Sequence, residues 1–423
     1  MITASPSRPV LSSPLITWTQ NAAIFACCAN FFSTALANFG FAAFLLLFVC
    51  TWLSRQRIHL DTQNFPVGVA IAMGLYIGWQ VIGLSYTDAS MSYALKSIFS
   101  DRKILYILPL ALVFSDERPK RRFLMCFLAT SAAGLAMSLL VVNPHLHWRF
   151  SLNPDSVFRS NVTQSMIFAL AGFLSIWFAF QNGGRVRKLI FCALAVAFFL
   201  NIAILTPGRS GYVVCLVLIV WSFAMWRGFK GVLVGFVAAL LIAAVAFTAS
   251  SSVHDRVMKG INEVNNYTNS SEESSLGIRM VLYSTTWKMI LDQPILGIGT
   301  GGFKRRFSAI AAEKYTGWRA SPAEDPHNQY LFVTVENGLV GLATFLLMIG
   351  MILKYCLKGG SIYGKMAAGC VLAWCATSLF SGHFRTFPEG HLIAFIVGIL
   401  MVNRPPGTME FQPERQAAGV VAG

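Results

Sequence analysis

A short polar run, Asp325-Pro326-His327-Asn328-Gln329, stands directly before a hydrophobic stretch of the chain. Asp325 is a good cap for the free N–H groups that open a helix, and Pro326 suits the first helical position. This order predicts that His327 lies in the first turn. The positive end of a helix attracts anions and favours a neutral imidazole, so His327 is a candidate general base beside an anionic substrate. The structural alternative is a histidine that only completes a cap at the membrane surface.

A second candidate, Arg209, lies in a minimal turn between two hydrophobic stretches. Gly208 and Gly211 flank it and allow tight backbone geometry. The turn therefore holds Arg209 at the boundary between membrane and water, where a guanidinium can bind two phosphate oxygens at once. The alternative is an arginine that extends from a span end into the headgroup region.

A third candidate, Arg279, opens a segment with helical spacing that runs to Asp292. Arg279, Tyr283 and Trp287 recur every four residues and so share one helix face. The other side is apolar, which predicts an amphipathic helix at the mouth of a membrane bundle. The glycine-rich run 292–302 follows it, but it lacks the Lys-Ser/Thr ending of a nucleotide-binding loop.

Other polar side chains flank the remaining hydrophobic stretches. Arg159 stands before one of them, and Arg385 lies in a polar turn between the last two. Together with Tyr283, Asn328 and Gln329, they are candidates for substrate binding. The sequence has no HExxH motif and no Cys/His spacing typical of a metal site, so neither a metal nor another cofactor is expected.

The composition indicates the setting of these residues. The 423-residue chain is 55% hydrophobic and 12% charged, whereas soluble proteins carry about 25% charged residues. The apolar residues form blocks, most of them long enough to cross a bilayer. We therefore predict an all-α polytopic membrane protein with about twelve transmembrane helices. The predicted spans are 17–35, 37–54, 66–85, 103–115, 123–142, 162–181, 188–206, 212–226, 231–249, 330–353, 366–381 and 391–402.

The basic residues of the short loops predict the orientation. Runs such as 118–122 and 185–188 indicate the cytoplasmic face, and the count of spans then places both termini there. Four regions result: a bundle of about nine spans at 1–249, a large polar loop outside the cytoplasm at 250–329, about three spans at 330–402 and a tail at 403–423.

The same topology leaves about half of the 33 Lys and Arg residues outside the cytoplasm. Because short outer loops are normally poor in basic residues, this distribution indicates an anionic ligand on the outer side. Ordinary interaction with lipid headgroups is the alternative.

In its motifs and predicted topology, the chain resembles the bacterial O-antigen ligase and polymerase superfamily. The resemblance is carried by Arg209 in a short outer turn, by the segment from Gly277-Ile278-Arg279 to Trp287, by Pro294-Ile295-Leu296-Gly297-Ile298-Gly299, and by His327-Asn328-Gln329 before a span. It implies a glycosyltransferase of the membrane GT-C class with one large periplasmic loop. Arg209, Arg279 and His327 match the essential residues of that superfamily.

The resemblance further implies a metal-independent, inverting enzyme of the inner membrane in lipopolysaccharide biosynthesis. Its partners would be an undecaprenyl-pyrophosphate-linked glycan, lipid A-core and membrane lipids, with no nucleic acid. The size of the loop and of the chain favours an O-antigen ligase. An O-antigen polymerase and a protein O-oligosaccharyltransferase are alternatives within the superfamily.

A transporter or flippase for an anionic lipid is the alternative that is not an enzyme. It shares the basic outer face, but it predicts charged residues along a path through the membrane. The predicted spans are nearly free of charge apart from Glu336, for which we favour a structural role. The sequence therefore favours chemistry at one membrane surface.

Overall fold

The protein is helical throughout the part of the chain that the structure describes. The computed structural model describes residues 14–54, 65–141, 156–181, 184–205, 208–267 and 272–401. The predicted tail at 403–423 lies outside these residues. Within them there are helices and no strands, which confirms the all-α class. The α-helices are α1 Pro14–Ala29, α2 Thr34–Leu53, α3 Val67–Ile82, α4 Met91–Asp101, α5 Ile107–Val113, α6 Glu117–Val141, α7 Asn161–Phe180, α8 Arg185–Ile204, α9 Arg209–Arg227, α10 Phe229–Ala249, α11 Ser251–Asn266, α12 Ser275–Asp292, α13 Phe303–Lys314, α14 Gln329–Leu357, α15 Ile362–Thr377 and α16 Phe387–Leu400.

Eight helices in the described ranges are long and apolar enough to cross a membrane, as expected for a polytopic membrane protein. They are α2, α3 with its short extension to Ser85, α6, α7, α8, α9, α10 and α14. The other four predicted spans fall on α1, α5, α15 and α16. These helices have 16, 7, 16 and 14 residues, fewer than the roughly 20 that cross a bilayer unaided.

Burial separates the inner helices from the outer ones. Every residue from Glu389 to Leu400 of α16 is buried, whereas α10 buries only Gly231, Gly235 and Ala239. Both helices are apolar on all sides, so each must be covered by protein or by lipid. The short α16 therefore lies inside the bundle, and the long α10 presents its surface to the lipid.

Three helices, α11 to α13, form most of the polar segment between α10 and α14. Helix α11 packs on α10 and α12, while α12 packs on α13 and α14. The helix predicted around Arg279 is present as α12, and its residues Val281, Leu282 and Met289 are buried while Trp287 is exposed. The segment thus lies against the bundle and brings α12 beside the start of α14.

The glycine-rich run 292–302 has a structural role in this arrangement. Helix α14 is interrupted at Gly338, where φ is +66°, a value that favours glycine. The Ile298 and Gly299 N–H groups donate to the carbonyl oxygens of Val335 and Glu336, both at 2.9 Å. These N–H groups are already hydrogen-bonded to α14, so they are not available to bind a phosphate.

Candidate active site

The start of α14 differs from the prediction at His327. The cap is Asn328, whose Oδ1 accepts from the Tyr330 N–H at 2.9 Å and from the Leu331 N–H at 3.0 Å. His327 precedes the helix and has a φ of +53°. The predicted cap at Asp325 is therefore wrong, as is the placement of His327 in the first turn. Asp325 and Asn328 are both cap residues, and sequence preference alone could not choose between them.

Asp325 instead binds His327. Its Oδ1 accepts from the His327 backbone N–H at 2.7 Å and lies 3.2 Å from His327 Nδ1. Partial burial alone would raise the pKa of Asp325, but the hydrogen bonds and charge of His327 hold it below its ordinary value. A carboxylate on Nδ1 favours the tautomer with its proton there and leaves Nε2 free to accept another. The imidazole is half exposed, so a substrate can reach it.

Tyr283 joins His327 to α12. Its hydroxyl lies 3.2 Å from the His327 carbonyl oxygen and 2.7 Å from that of Leu379. Tyr283 stands one helical turn after Arg279, on the same face. Helix α12 therefore holds the segment around His327 and carries Arg279 one turn before this contact.

Arg209 and Arg279 lie close together. Arg209 is the first residue of α9, and its Nη2 lies 3.5 Å from Glu263 of α11. Glu263 also accepts from the Leu276 N–H of α12 at 3.1 Å, so one carboxylate links three helices. Burial lowers the pKa of Arg279, and the positive charge of Arg209 acts in the same direction. Two cations that repel each other form a natural site for an anion.

The packing of α9 explains how Arg209 is positioned. A Cβ atom added to Gly208 would lie 2.3 Å from the Ser165 Oγ, and one added to Gly211 would lie 2.5 Å from the Ser165 Cβ. The two glycines therefore let the start of α9 approach α7 closely. This contact, rather than turn flexibility, places the guanidinium.

Several buried polar atoms around these residues have no hydrogen-bond partner among the described residues. They include Arg209 Nη1, Arg279 Nε, the Tyr212 hydroxyl and both ring nitrogens of His383. Buried polar groups are nearly always satisfied in folded proteins. Such a concentration of unsatisfied atoms marks a place where a polar ligand or water belongs.

Arg159 lies beside the start of α2 and the start of α16. Its guanidinium donates to the Thr34 hydroxyl and lies 5.0 Å from the Phe387 ring centroid. Burial lowers its pKa, and the nearby negative charge of Glu389 opposes this. Glu389 also acts on His383, whose pKa is lowered by burial and by the charge of Arg279. Arg159 is thus connected to Arg279 through buried charges and not by direct contact.

Arg385 differs from the other candidate arginines because its donors are occupied. Its Nε donates to the Ser100 hydroxyl at 2.8 Å and its Nη2 to the Ser97 hydroxyl at 3.1 Å. Asp101 lies 3.8 Å from Nε, and the guanidinium stacks on Phe332 at 3.9 Å. Arg385 therefore ties α4 to the segment before α16.

Two cavities are lined by the candidate residues of this region. The α11 cavity, of about 520 Å³, is lined by Arg209, Tyr212 and Arg256 and by apolar side chains of α11 such as Val257 and Ile261. The α4 cavity, of about 200 Å³, is polar. Its lining includes Tyr93, Lys96, Asp325, Gln329, Phe332 and Arg385.

Sequence reasoning missed Glu263 and did not predict that His383 and Glu389 are buried. Glu263 was hidden in a polar helix, and its importance comes from its contact with Arg209 across 54 residues of chain. His383 and Glu389 were visible as parts of a polar turn, but nothing in the pattern indicated that both are buried. A polar residue between two apolar segments is the signal that was available.

Three further cations, Lys304, Arg305 and Arg306, are accounted for by contacts within the described chain. Lys304 pairs with Glu324 at 2.9 Å, and Arg306 pairs with Asp88 at 3.3 Å. Arg305 donates to the Asp88 carbonyl oxygen. In the described residues, no group of three or more His, Cys, Asp or Glu side chains is arranged to hold a metal ion.

Comparison with known proteins gives a family match over part of the chain. Residues 194–346 match the family described as O-antigen ligase. This range contains Arg209, Arg279 and His327, but not Arg159 or Arg385. An O-antigen ligase of Salmonella typhimurium is 24% identical over 202 residues, which are 46% of this chain and 46% of that protein. The match thus spans about half the length of that ligase.

A second relative, an uncharacterized protein of Haemophilus influenzae, is 22% identical over 273 residues. The match covers 62% of this chain and 67% of the relative. The family match includes the residues that carry the resemblance in sequence, and the helical membrane architecture agrees with it. Over residues 194–346 the chain is therefore similar to the O-antigen ligase family, a family of glycosyltransferase-type membrane enzymes.

Proposed function

We propose that the protein is an O-antigen ligase. It transfers the O-antigen glycan from undecaprenyl pyrophosphate to a sugar hydroxyl of lipid A-core, at the periplasmic face of the bacterial inner membrane. The observation that carries this proposal is the pair Arg209 and Arg279, which lie close together. Arg209 lines an apolar cavity, and Tyr283, one helical turn after Arg279, contacts the His327 carbonyl oxygen. The family match over residues 194–346 supports the reaction class.

The α11 cavity suits the lipid-linked donor. Its apolar side chains Val257, Ile261 and Val264 can contact a polyprenyl chain, and Arg209 and Arg256 stand at the same cavity. A pyrophosphate needs several fixed cations, and guanidinium groups bind phosphate oxygens in pairs. Arg279, with an Nε that has no partner among the described residues, supplies a further donor.

The reaction is a single displacement. The acceptor hydroxyl oxygen attacks the anomeric carbon of the glycan, and the bond from that carbon to the pyrophosphate oxygen breaks. His327 Nε2 accepts the hydroxyl proton, while Asp325 holds the imidazole through Nδ1 and stabilises its charged form. Arg209 and Arg279 stabilise the negative charge on the departing pyrophosphate. Attack from the opposite face inverts the anomeric carbon.

The remaining candidates position these groups. Tyr283 holds the His327 backbone and Asn328 caps α14, so both support the base. Arg159 balances the charge of the buried Glu389 and strengthens the positive field of the outer face.

The proposed topology follows from the basic loops. The polar segment 250–329 is periplasmic, between a bundle at 1–249 and the spans at 330–402, and both termini are cytoplasmic. The bundle is of the GT-C class, and the reaction is metal-independent because guanidinium groups supply the positive charge at the leaving group.

Reconstitution tests the proposal. The purified protein is combined with an undecaprenyl-pyrophosphate glycan and rough lipopolysaccharide in the presence of a metal chelator. Glycan transfer to lipid A-core supports the ligase reaction. Lengthening of the lipid-linked glycan alone would indicate a polymerase, and transfer to protein alone a protein O-oligosaccharyltransferase. Lipid movement across the bilayer without any transfer would indicate a flippase.

A further inference from the structure

The α4 cavity contains a buried amide that the fold leaves without a partner. Gln329 is fully buried, and neither Oε1 nor Nε2 has a hydrogen-bond partner among the described residues. Its backbone N–H donates to the Ser378 carbonyl oxygen at 2.8 Å, which fixes the base of the side chain. Because a buried amide without partners is unfavourable, its position on the wall of a polar cavity indicates a ligand.

The charges of this cavity oppose an anionic ligand. Its cations are Lys96 and Arg385, and the latter is already held by Asp101 and two serine hydroxyls. Its carboxylates are Glu324, Asp325 and Glu336. A pyrophosphate would meet at least as many negative as positive groups here. A neutral ligand rich in hydroxyl groups can donate to the carboxylates and accept from the cations.

The shape of the cavity agrees with a sugar. Its volume of about 200 Å³ lies below the roughly 300–1,000 Å³ of pockets for drug-sized ligands, so it suits a single ring. Tyr93 and Phe332 provide aromatic surface. An amide has two donor hydrogens and one acceptor oxygen, which match neighbouring hydroxyl groups on a ring.

The position of the cavity connects it to the proposed base. Asp325 lines the cavity and also binds the backbone N–H and Nδ1 of His327. A sugar in this cavity therefore lies beside the carboxylate that holds the imidazole. The α11 cavity is lined by Arg209 and shares no lining residue with the α4 cavity.

We propose that the α4 cavity is the subsite for the accepting sugar of the acceptor, with Gln329 as a ligand of its hydroxyl groups. This inference rests on the proposed function and assigns its two substrates to two separate cavities. The donor pyrophosphate occupies the α11 cavity.

The variant Gln329→Leu tests the subsite because leucine keeps much of the volume and removes the amide. We expect the KM for rough lipopolysaccharide to rise about tenfold, the effect of one lost hydrogen bond to a bound hydroxyl. The KM for the undecaprenyl-pyrophosphate glycan stays unchanged. The melting temperature does not fall, because the amide contributes no hydrogen bond to the fold.

Gln164→Leu is the matched control. Gln164 is also fully buried, but its Oε1 accepts from the Val157 and Phe158 N–H groups at 2.8 and 3.1 Å. Its replacement lowers the melting temperature and does not raise the KM for rough lipopolysaccharide selectively. Tyr93→Leu, at a partly exposed position of α4, is a second test of the subsite that does not depend on a buried substitution.

Other results would overturn the subsite. A selective rise in the KM for the donor in Gln329→Leu would place the donor in this cavity. Unchanged KM values for both substrates in Gln329→Leu and in Tyr93→Leu would show that the cavity holds only water.

Binding of delipidated core oligosaccharide, followed by saturation-transfer NMR, separates this inference from the reaction itself. Binding by the wild type that is lost in Gln329→Leu supports the subsite even if no transfer occurs, in which case the proposed function fails alone. Equal signals in both proteins, or none in the wild type, would contradict the subsite.

Discussion

The α11 cavity and the α4 cavity both carry arginines, but the donors of these arginines are used differently. At the α4 cavity, Arg385 is held by two serine hydroxyls, Asp101 and the Phe332 ring. At the α11 cavity, Arg209 pairs with one carboxylate at 3.5 Å. Its buried Nη1 has no hydrogen-bond partner in the described chain. A count of basic residues cannot distinguish these cases. The number of occupied donors separates an arginine that supports the fold from one that is available to a ligand.

His327 is held by Asp325, which lines the α4 cavity, and its replacement tests whether the two cavities serve one reaction. We expect His327→Ala to reduce kcat about 100- to 10,000-fold, the usual range for a lost general base. The KM values change little because the arginines and Gln329 remain. Steady-state transfer assays with each substrate varied in turn measure this. A well-folded His327→Ala protein with full activity would remove the proposed base.

The two arginine environments predict opposite outcomes. Arg279→Gln should lower kcat/KM for the donor about 100- to 1,000-fold, because a positioned charge at a leaving group is lost, while the melting temperature changes little. Arg385→Gln should lower the melting temperature instead, since four contacts depend on that guanidinium. Transfer kinetics and thermal unfolding of both variants measure the contrast. If both variants lost kcat/KM for the donor equally and had the same melting temperature, the two arginines would not differ in their roles.

Asp325 contacts both the imidazole and the α4 cavity. Asp325→Asn keeps a similar shape but removes the charge that stabilises the protonated imidazole. We expect kcat to fall about 10- to 100-fold, in the range of lost partners that orient a catalytic group. The variant Glu324→Gln, at the same cavity but without contact to His327, is the control for a general loss of negative charge. A similar loss of kcat in both variants would argue against the Asp325–His327 pair.

The smallest expected effect is on stability as the pH falls. The pKa of Asp325 lies below its ordinary value in the folded protein, so the ionised group contributes stability above its pKa in the unfolded chain. This contribution is lost as the pH falls through the folded pKa. Melting temperatures of the wild type and Asp325→Asn should differ near neutral pH and converge in acid. A constant difference at all pH values would contradict this linkage.

Local pattern was sufficient for several elements. The four-residue spacing of Arg279, Tyr283 and Trp287 predicted α12, and the apolar blocks predicted the long helices that dominate the bundle. Local pattern failed at the start of α14, where the N-cap is Asn328 and not Asp325. Both residues are suitable caps, and the choice depended on the contacts that Asp325 makes with His327.

Local sequence patterns could not predict the interruption of α14 or the ion pairs between distant residues. The break of α14 at Gly338 requires the segment 294–299 to bind the exposed carbonyl groups, a contact between regions about 40 residues apart. The ion pairs of Lys304 and Arg306 likewise join distant residues, and they remove those cations from the candidates for an anionic ligand. Hydropathy and spacing carry no information about such contacts.

The sequence by itself determined the membrane setting, the helical class and the residue types that can bind a pyrophosphate or accept a proton, because these follow from hydropathy, periodicity and side-chain chemistry. Only the tertiary structure decided which arginines retain free donors, that Asp325 binds His327, and that Gln329 faces a separate cavity. The physical reason is that burial and hydrogen-bond satisfaction depend on neighbours far away in the chain. Those neighbours come together only when the helices pack.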